Sequence, residues 1–389
     1  MTVATDNDDL QSTLMIPGPI RLSTDVQNAL GTPSISHTGT HFTKTFQSAL
    51  LKLQKLFNVE EKEGYLPFVI SSSGTMGWDL VGNNLLSSSD TDCNNNALVL
   101  STGFFSESFY LCLQSYASNK STVDKIVAPL GTSDFDEAEL IAKLSSKKYR
   151  LVTITHVDTS TATLVDLNKV VKVIKDTSPS TFIVIDGVCS VGCEELDLGK
   201  LKGIDFVFTA SQKAIGVAPG LCLGIISPRV VDFILNENKN NIRGYYTNLT
   251  KWLPVMQSFI KNQAKYFATP PVQLIHALNV SLSGILKQGV TKRVEEHKSK
   301  SDWFKDKIVN DLKLKLVSQP GYGAHGLTAI YVNNPAELLK KIGADGIVLA
   351  GGIHKDIKDQ YIRVGHMGVS IENGDLEKVY EALKKNVIQ

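Results

Sequence analysis

Seven short runs of this chain are apolar on both faces, a pattern that few folds can accommodate. They are PFVIS (67–71), ALVLS (97–101), KIVAPL (125–130), RLVTIT (150–155), TFIVID (181–186), DFVFTA (205–210) and LCLGIIS (221–227). Segments with helical periodicity accompany them at 43–57, 75–87, 106–117, 135–146 and 166–176. A strand without a polar face must be covered on both sides. The pattern therefore predicts an α/β fold, with a mainly parallel seven-stranded sheet between helices. In such sheets ligands bind beyond the carboxyl ends of the strands.

The texture changes after Pro270-Pro271. Residues 272–313 read as two long helices joined near Gly289. LKLVS (314–318), GLTAIYV (326–332), a helix near 335–342, YIRV (361–364) and an amphipathic helix over 374–386 follow. These describe a smaller C-terminal α/β domain. With 389 residues against roughly 100–200 per domain, two domains are expected. The expected division is an N-terminal arm (1–20), a large domain (21–283) and a small domain (284–389).

Forty basic residues against thirty-nine acidic ones leave a net charge of +1, which gives no footprint for nucleic acid. A small neutral or anionic partner fits better. No apolar run approaches the roughly 18 residues of a membrane span. Residues 1–13 are acidic and polar, unlike a secretory or mitochondrial leader. The last residues, KKNVIQ, lack a peroxisomal Ser-Lys-Leu. Cytoplasm is the default expectation, with peroxisome and mitochondrion left open. The five cysteines (Cys93, Cys112, Cys189, Cys193, Cys222) are expected as reduced thiols. Cys189 and Cys193 have no second ligand pair nearby, so no metal site is expected. Without a leader, the acceptor patterns at Asn248 and Asn279 carry no meaning for glycosylation.

The chemistry-bearing residues fall just after the strands. PFVIS is followed by Ser71-Ser72-Ser73-Gly74-Thr75 and a helix. This turn is either an anion cradle of free amides or a plain helix cap. ALVLS leads to Phe104-Phe105, aromatic rings that stack on a planar ligand or pack in the core. RLVTIT leads to His156-Val157-Asp158-Thr159-Ser160-Thr161, a polar turn that either holds a ligand oxygen or feeds the next helix. TFIVID ends on Asp186, a carboxylate costly to bury unless a cation balances it. Gly187 and Val188 are small enough for a flat ligand to lie against. DFVFTA leads to Ser211-Gln212-Lys213, an ammonium among small and apolar residues. A lysine, a carboxylate and an anion cradle at one sheet end match the needs of pyridoxal phosphate. In contrast, Gly321-Tyr322-Gly323-Ala324-His325-Gly326 fits G-x-G-x-x-G only literally. A strand-like run follows it, whereas a dinucleotide site needs a helix.

The chain resembles the class V aminotransferases, pyridoxal-phosphate enzymes of fold type I, and the fungal alanine–glyoxylate group in particular. The likeness rests on LMIPGPI (14–20), SSSGTMGWDL (71–80), STGFFS (101–106), THVDTSTATLVDL (155–167), VIDGVCSVGCEE (184–195), TASQKAIG (209–216), YFATPPVQL (266–274), AGGIHKDI (350–357) and YIRVGHMGV (361–369). The resemblance implies Lys213 as the Schiff-base lysine and Asp186 as partner of the pyridinium nitrogen. It places Phe105 and Val188 on the two ring faces, Thr159 at the ring hydroxyl, and Ser73, Gly74, Thr75 and Gln212 around the phosphate. Tyr266 and Thr269 would reach the site of a second subunit in a homodimer. Arg363 would grip the substrate carboxylate near Gly18. Two departures stand out. Fungal relatives tend to show His-Thr-Ser-Pro-Glu-Phe in place of His37-Thr38-Gly39-Thr40-His41-Phe42, and Gly187 replaces a serine or alanine.

The implied reaction is alanine plus glyoxylate to pyruvate plus glycine, by ping-pong transamination. A serine–pyruvate or serine–glyoxylate aminotransferase is the near alternative. A cysteine desulfurase would need a reactive cysteine in the small domain, and none occurs after Cys222. A cofactor-binding protein without turnover is the remaining reading.

Overall fold

The computed structural model describes residues 12–86, 95–118 and 121–387. Cys93 and the first eleven residues of the expected arm lie outside the described residues.

The central sheet has seven strands: Leu66–Ser71 (β1), Ala97–Ser101 (β2), Val123–Val127 (β3), Leu151–Thr155 (β4), Phe182–Asp186 (β5), Phe206–Ala210 (β6) and Leu221–Ile226 (β7). Their order is β1-β7-β6-β5-β4-β2-β3. Only β7 runs against its neighbours β1 and β6; the other pairs are parallel. Every residue of β2, β4, β5, β6 and β7 is buried, as their unbroken apolar sequences require. β3 is an edge strand and is mostly half-buried instead, with only Ile126 fully covered. It starts two residues earlier than its sequence suggests and ends before Pro129, which cannot donate to a ladder.

Helices Thr24–Leu30 (α1), Thr40–Leu56 (α2), Thr75–Val81 (α3), Phe104–Tyr116 (α4), Glu137–Ser146 (α5) and Leu167–Thr177 (α6) connect and cover these strands. Leu249–Ile260 (α7) is a further helix, hidden from a periodicity reading by Pro254 in its interior. Val272–Gln288 (α8) packs on α1 and α2 and belongs to the large core. At Gly289, with φ +89°, the chain turns into Val290–Asp306 (α9), which contributes Phe304 to a second core.

That second core lies under a three-stranded antiparallel sheet of Leu327–Tyr331 (β8), Ala350–Gly351 (β9) and Tyr361–Gly365 (β10), in the order β8-β10-β9. Pro335–Ala344 (α10) and Asp375–Val387 (α11) cover it. The expected strand at 314–318 is reduced to one bridge, Leu316 to Ile330. Lys313, at φ +55°, turns the backbone away before a ladder can form. The glycine-rich stretch 321–326 runs directly into β8, so no helix opens there.

Two features join the halves. Thr13–Leu14 pairs in parallel with Ile347–Val348, and the chain then runs past β10 to the end of the large sheet. A third apolar cluster, including Val157, Ala162, Cys189, Leu327, Ala329 and Tyr361, packs the turn after β4 against β8 and β10. Among the described residues no helix is long and apolar enough to cross a membrane.

Candidate active site

Asp186 closes β5 and is 3% exposed. Its Oδ2 accepts the indole N–H of Trp78 at 2.8 Å, and its Oδ1 accepts the Val188 amide at 3.0 Å. Burial pushes its carboxyl up to about 6, against the opposing pull of those two hydrogen bonds. Among the described residues no protein cation forms an ion pair with it. The carboxylate therefore has donors but no cation in contact, with Lys213 acting on it only from a longer distance, a configuration that favours a cationic ligand atom.

Lys213 stands in the turn after β6. Its Nζ donates to the Pro17 carbonyl at 2.5 Å. Gly18 presses on the same side chain: a Cβ at Gly18 would stand 2.5 Å from Lys213 Cδ and 2.7 Å from Nζ. Gly18 also holds φ +117°, where a side chain is strained. The N-terminal segment thus reaches the lysine with backbone alone. The Ile20 amide donates to the Gln212 carbonyl at 3.1 Å, fixing the segment beside the lysine turn.

Ser73, Gly74 and Thr75 open α3 opposite this turn. A Cβ at Gly74 would meet Val188 Cγ2 at 2.8 Å, so only glycine lets α3 approach Val188 this closely. Ser73, Gly74, Thr75, Trp78, Phe105, Thr155, Val157, Asp186, Val188, Cys189, Gln212 and Lys213 line one cavity of about 130 Å³. Thr155 Oγ1 and Gln212 Oε1 are buried at this cavity without a hydrogen-bond partner.

Phe105 is held through its backbone. Asp158, fully buried, accepts the amides of Phe105 (3.0 Å) and Ser106 (3.1 Å) on Oδ2, together with the Ser106 hydroxyl (3.1 Å). Its Oδ1 accepts the amide and hydroxyl of Ser160 at 3.0 and 2.6 Å. A carboxylate on free amides at a helix start is favourable by charge and by hydrogen bonding. Here the caps come from a turn 52 and 53 residues further along the chain. The Thr159 hydroxyl lies beside the Cys189 thiol, and its carbonyl accepts Arg363 Nη1 at 3.4 Å.

Arg363, in the middle of β10, also donates Nε to the Gly351 carbonyl at 2.8 Å. Desolvation lowers its basicity, and no carboxylate among the described residues pairs with it. A half-buried guanidinium bonded only to carbonyls retains its charge for an anion from outside.

Tyr266 and Thr269 do not meet this cavity within the chain. Both are exposed, Tyr266 by 60%, and their hydroxyls lie 3.4 Å apart. Tyr266 packs against His37, and His41 stacks on His276, each with ring centroids 5.5 Å apart. The departing segment 37–42 therefore borders the same exposed face as Tyr266.

Sequence reasoning missed Trp78, Thr155, Cys189 and the holding role of Asp158. Trp78 had a usable signal: it follows Gly74 by one helical turn, on the same face of α3. Asp158 had none, because its partners lie on a different helix.

The chain matches the pattern of the family described as aminotransferase class-V over residues 22–366. It is 47% identical over 368 residues to alanine–glyoxylate aminotransferase 1 of Saccharomyces cerevisiae, covering 94% of each chain. It is 25% identical over 389 residues to the serine–glyoxylate aminotransferase of Hyphomicrobium methylovorum, covering 96% of this chain and 90% of that one. The crystal structure of alanine–glyoxylate aminotransferase from Nostoc sp. superposes with a TM-score of 0.86 at 20% identity, covering 100% of this chain and 97% of that one. The fold is that of the type I pyridoxal-phosphate enzymes, and the site brings a lysine, a carboxylate and a helix start to one cavity. This chain belongs to the class V aminotransferases.

The cofactor of that family is pyridoxal phosphate, and the residues present fit it. Asp186 has no cation in contact, Gln212 and Thr155 have unused polar atoms, and Lys213 is half-buried beside them. Among the described residues no cluster of His, Cys, Asp and Glu is placed to hold a metal.

Proposed function

We propose that this protein is an alanine–glyoxylate aminotransferase, converting alanine and glyoxylate to pyruvate and glycine. The observation that carries the reading is the shared cavity of Lys213 and Asp186, residues 27 positions apart on neighbouring strands' ends. The name of the substrate pair comes from the yeast relative, with its 47% identity.

Bound there, pyridoxal phosphate supplies a ring that withdraws electrons from the substrate's α-carbon. The chain's residues do the rest. Lys213 Nζ, in the same cavity as Asp186, would remove the α-proton and return it as a general base. Asp186 stabilises positive charge on the ring nitrogen by its own negative charge. Phe105 and Val188 would enclose the two ring faces, and Thr159 would contact the ring hydroxyl. Ser73, Gly74, Thr75 and Gln212 hold the phosphate, with the start of α3 behind them. Arg363 grips the α-carboxylate in two-pronged fashion, beside Gly18. The same site serves both half-reactions, so amino and keto acids exchange by ping-pong kinetics.

The site is completed in a homodimer, where Tyr266 and Thr269 of each protomer extend to the phosphate of its neighbour. Their exposure in the single chain supports this reading. In this scheme residues 1–20 are an arm, 21–283 hold the cofactor and 284–389 carry the substrate grip. The cytoplasm remains the proposed compartment.

The test is direct. Purified protein absorbs in the visible and forms glycine from glyoxylate, with alanine preferred over serine in a donor panel. Lys213→Ala loses both the borohydride-trappable band and turnover. An unchanged spectrum in the variant, or equal rates with all donors, refutes the corresponding part.

A further inference from the structure

We propose that Tyr361 is a positioning residue for substrate binding, whose hydroxyl locks Arg363 against the large domain. This rests on the reading of Arg363 as the carboxylate grip. Tyr361 is fully buried, yet its hydroxyl sits at a junction of three segments. It donates to the Ser160 carbonyl at 2.5 Å. It accepts the amides of Ile353 and His354 at 3.0 and 3.1 Å. A hydroxyl offers one donor and two lone pairs, so all three are used.

Residues two apart in a strand face the same side. Tyr361, Arg363 and Gly365 therefore share one face of β10, and each holds a different piece of chain. Tyr361 binds the turn that carries Asp158 and Thr159. Arg363 bonds the Thr159 and Gly351 carbonyls. The Gly365 amide donates to the Met15 carbonyl at 2.7 Å, on the segment whose Pro17 carbonyl holds Lys213. The loop after β9 is folded tightly on the tyrosine: a Cβ at Gly352 would lie 2.5 Å from Tyr361 Cε1. Arg363 is thus clamped by its two strand neighbours. Without the tyrosine hydroxyl, the loop that directly follows Gly351 and the turn bearing the Thr159 carbonyl lose their common anchor. Both acceptors that aim the guanidinium then drift.

The experiment compares wild-type holoenzyme with Tyr361→Phe, Arg363→Lys and the double variant. Tyr361→Phe keeps the ring and removes only the hydroxyl. It is expected to raise KM for glyoxylate and for the amino donor about fivefold, with kcat held within about twofold. Cofactor affinity and the visible band stay unchanged. The double variant has the KM of Arg363→Lys alone, because the hydroxyl acts through the arginine. An unchanged KM, a parallel loss of cofactor, or additive effects overturn the proposal. Calorimetric titration with propionate, an unreactive monocarboxylate, separates this from the functional reading. Weaker propionate binding by Tyr361→Phe supports the lock even if no donor is turned over, and equal binding overturns it. If the variant does not fold, hydrogen exchange on the wild type decides. Slow exchange at the Ile353 and His354 amides, slower still with propionate, is expected. Fast exchange in both states overturns the lock.

Discussion

The indole N–H of Trp78 points at Oδ2 of Asp186 across 2.8 Å, from the third residue after the first of α3 to the last residue of β5. The helix whose start faces the cavity thus also holds the acid on the cavity's other wall. This contact stabilises the charged carboxylate against its burial. Replacing Trp78 with phenylalanine removes the donor and retains an aromatic ring. The expected result is about tenfold weaker cofactor binding, since a hydrogen bond to a charged group is lost. The acid limb of the pH–rate profile moves to higher pH, because the carboxyl loses a contact that favoured its ionised form. Titration of the visible band and a pH series check both.

Asp186 also governs the stability of the cofactor-free protein. Its carboxyl is raised from 3.8 to about 6 in the folded state, chiefly by desolvation. Between those values the folded chain binds a proton that the unfolded chain releases. Stability therefore falls as pH rises through this window, by at most about 3 kcal/mol. Asp186→Asn should melt higher than wild type at pH 8 in the absence of cofactor. The difference should close toward pH 4. A gap that is independent of pH would contradict the assignment. With cofactor present, the same variant should be nearly inactive.

Asp158 holds the start of α4 and, through it, Phe105. Asp158→Ala leaves the amides of Phe105 and Ser106 without their acceptor in a buried setting. A loss of about 3 kcal/mol is expected in urea unfolding. Asp158→Asn should recover part of this loss, because the amide oxygen can still accept. Cofactor affinity should track the aromatic face rather than global stability. Phe105→Leu should therefore weaken the cofactor without lowering the unfolding midpoint comparably.

Gly18 meets Lys213 with no side chain between them. Gly18→Ala places a methyl 2.5 Å from Lys213 Cδ, at a backbone φ of +117°. Turnover should fall by more than about tenfold, since a lysine displaced by even 1 Å loses its alignment. The far-UV spectrum should be unchanged, because the segment lies outside the large core.

The homodimer reading predicts complementation. Lys213→Ala and Tyr266→Ala should each be impaired as pure proteins. A hybrid dimer of the two has one site with both lesions and one with neither. Mixing after denaturation and refolding should restore activity. No recovery in verified hybrids would place Tyr266 outside the partner's site.

The sheet was legible because burial on both faces leaves a mark in composition: apart from their threonines and the terminal Asp186, LVTIT, FIVID and FVFTA are apolar on both sides. Lys213 and Asp186 were legible for the converse reason, as charges at the ends of strands that exclude charge. The weak strand near Leu316 misled, because Lys313 adopts a left-handed backbone that its side chain does not announce. α7 was missed, because its proline masks a helix sustained by the buried Trp252, Leu253, Met256 and Phe259.

By itself, then, the sequence determined the layered sheet, the order of its elements and the residues able to do chemistry, since these follow from local polarity and chain order. Only the tertiary structure decided which distant groups support them. Trp78 on Asp186, Asp158 on the start of α4, the Pro17 carbonyl on Lys213 and Tyr361 on Ser160 join segments that are neighbours only after packing. A hydrogen bond between such segments depends on positions in space, and local residue preferences carry no record of them.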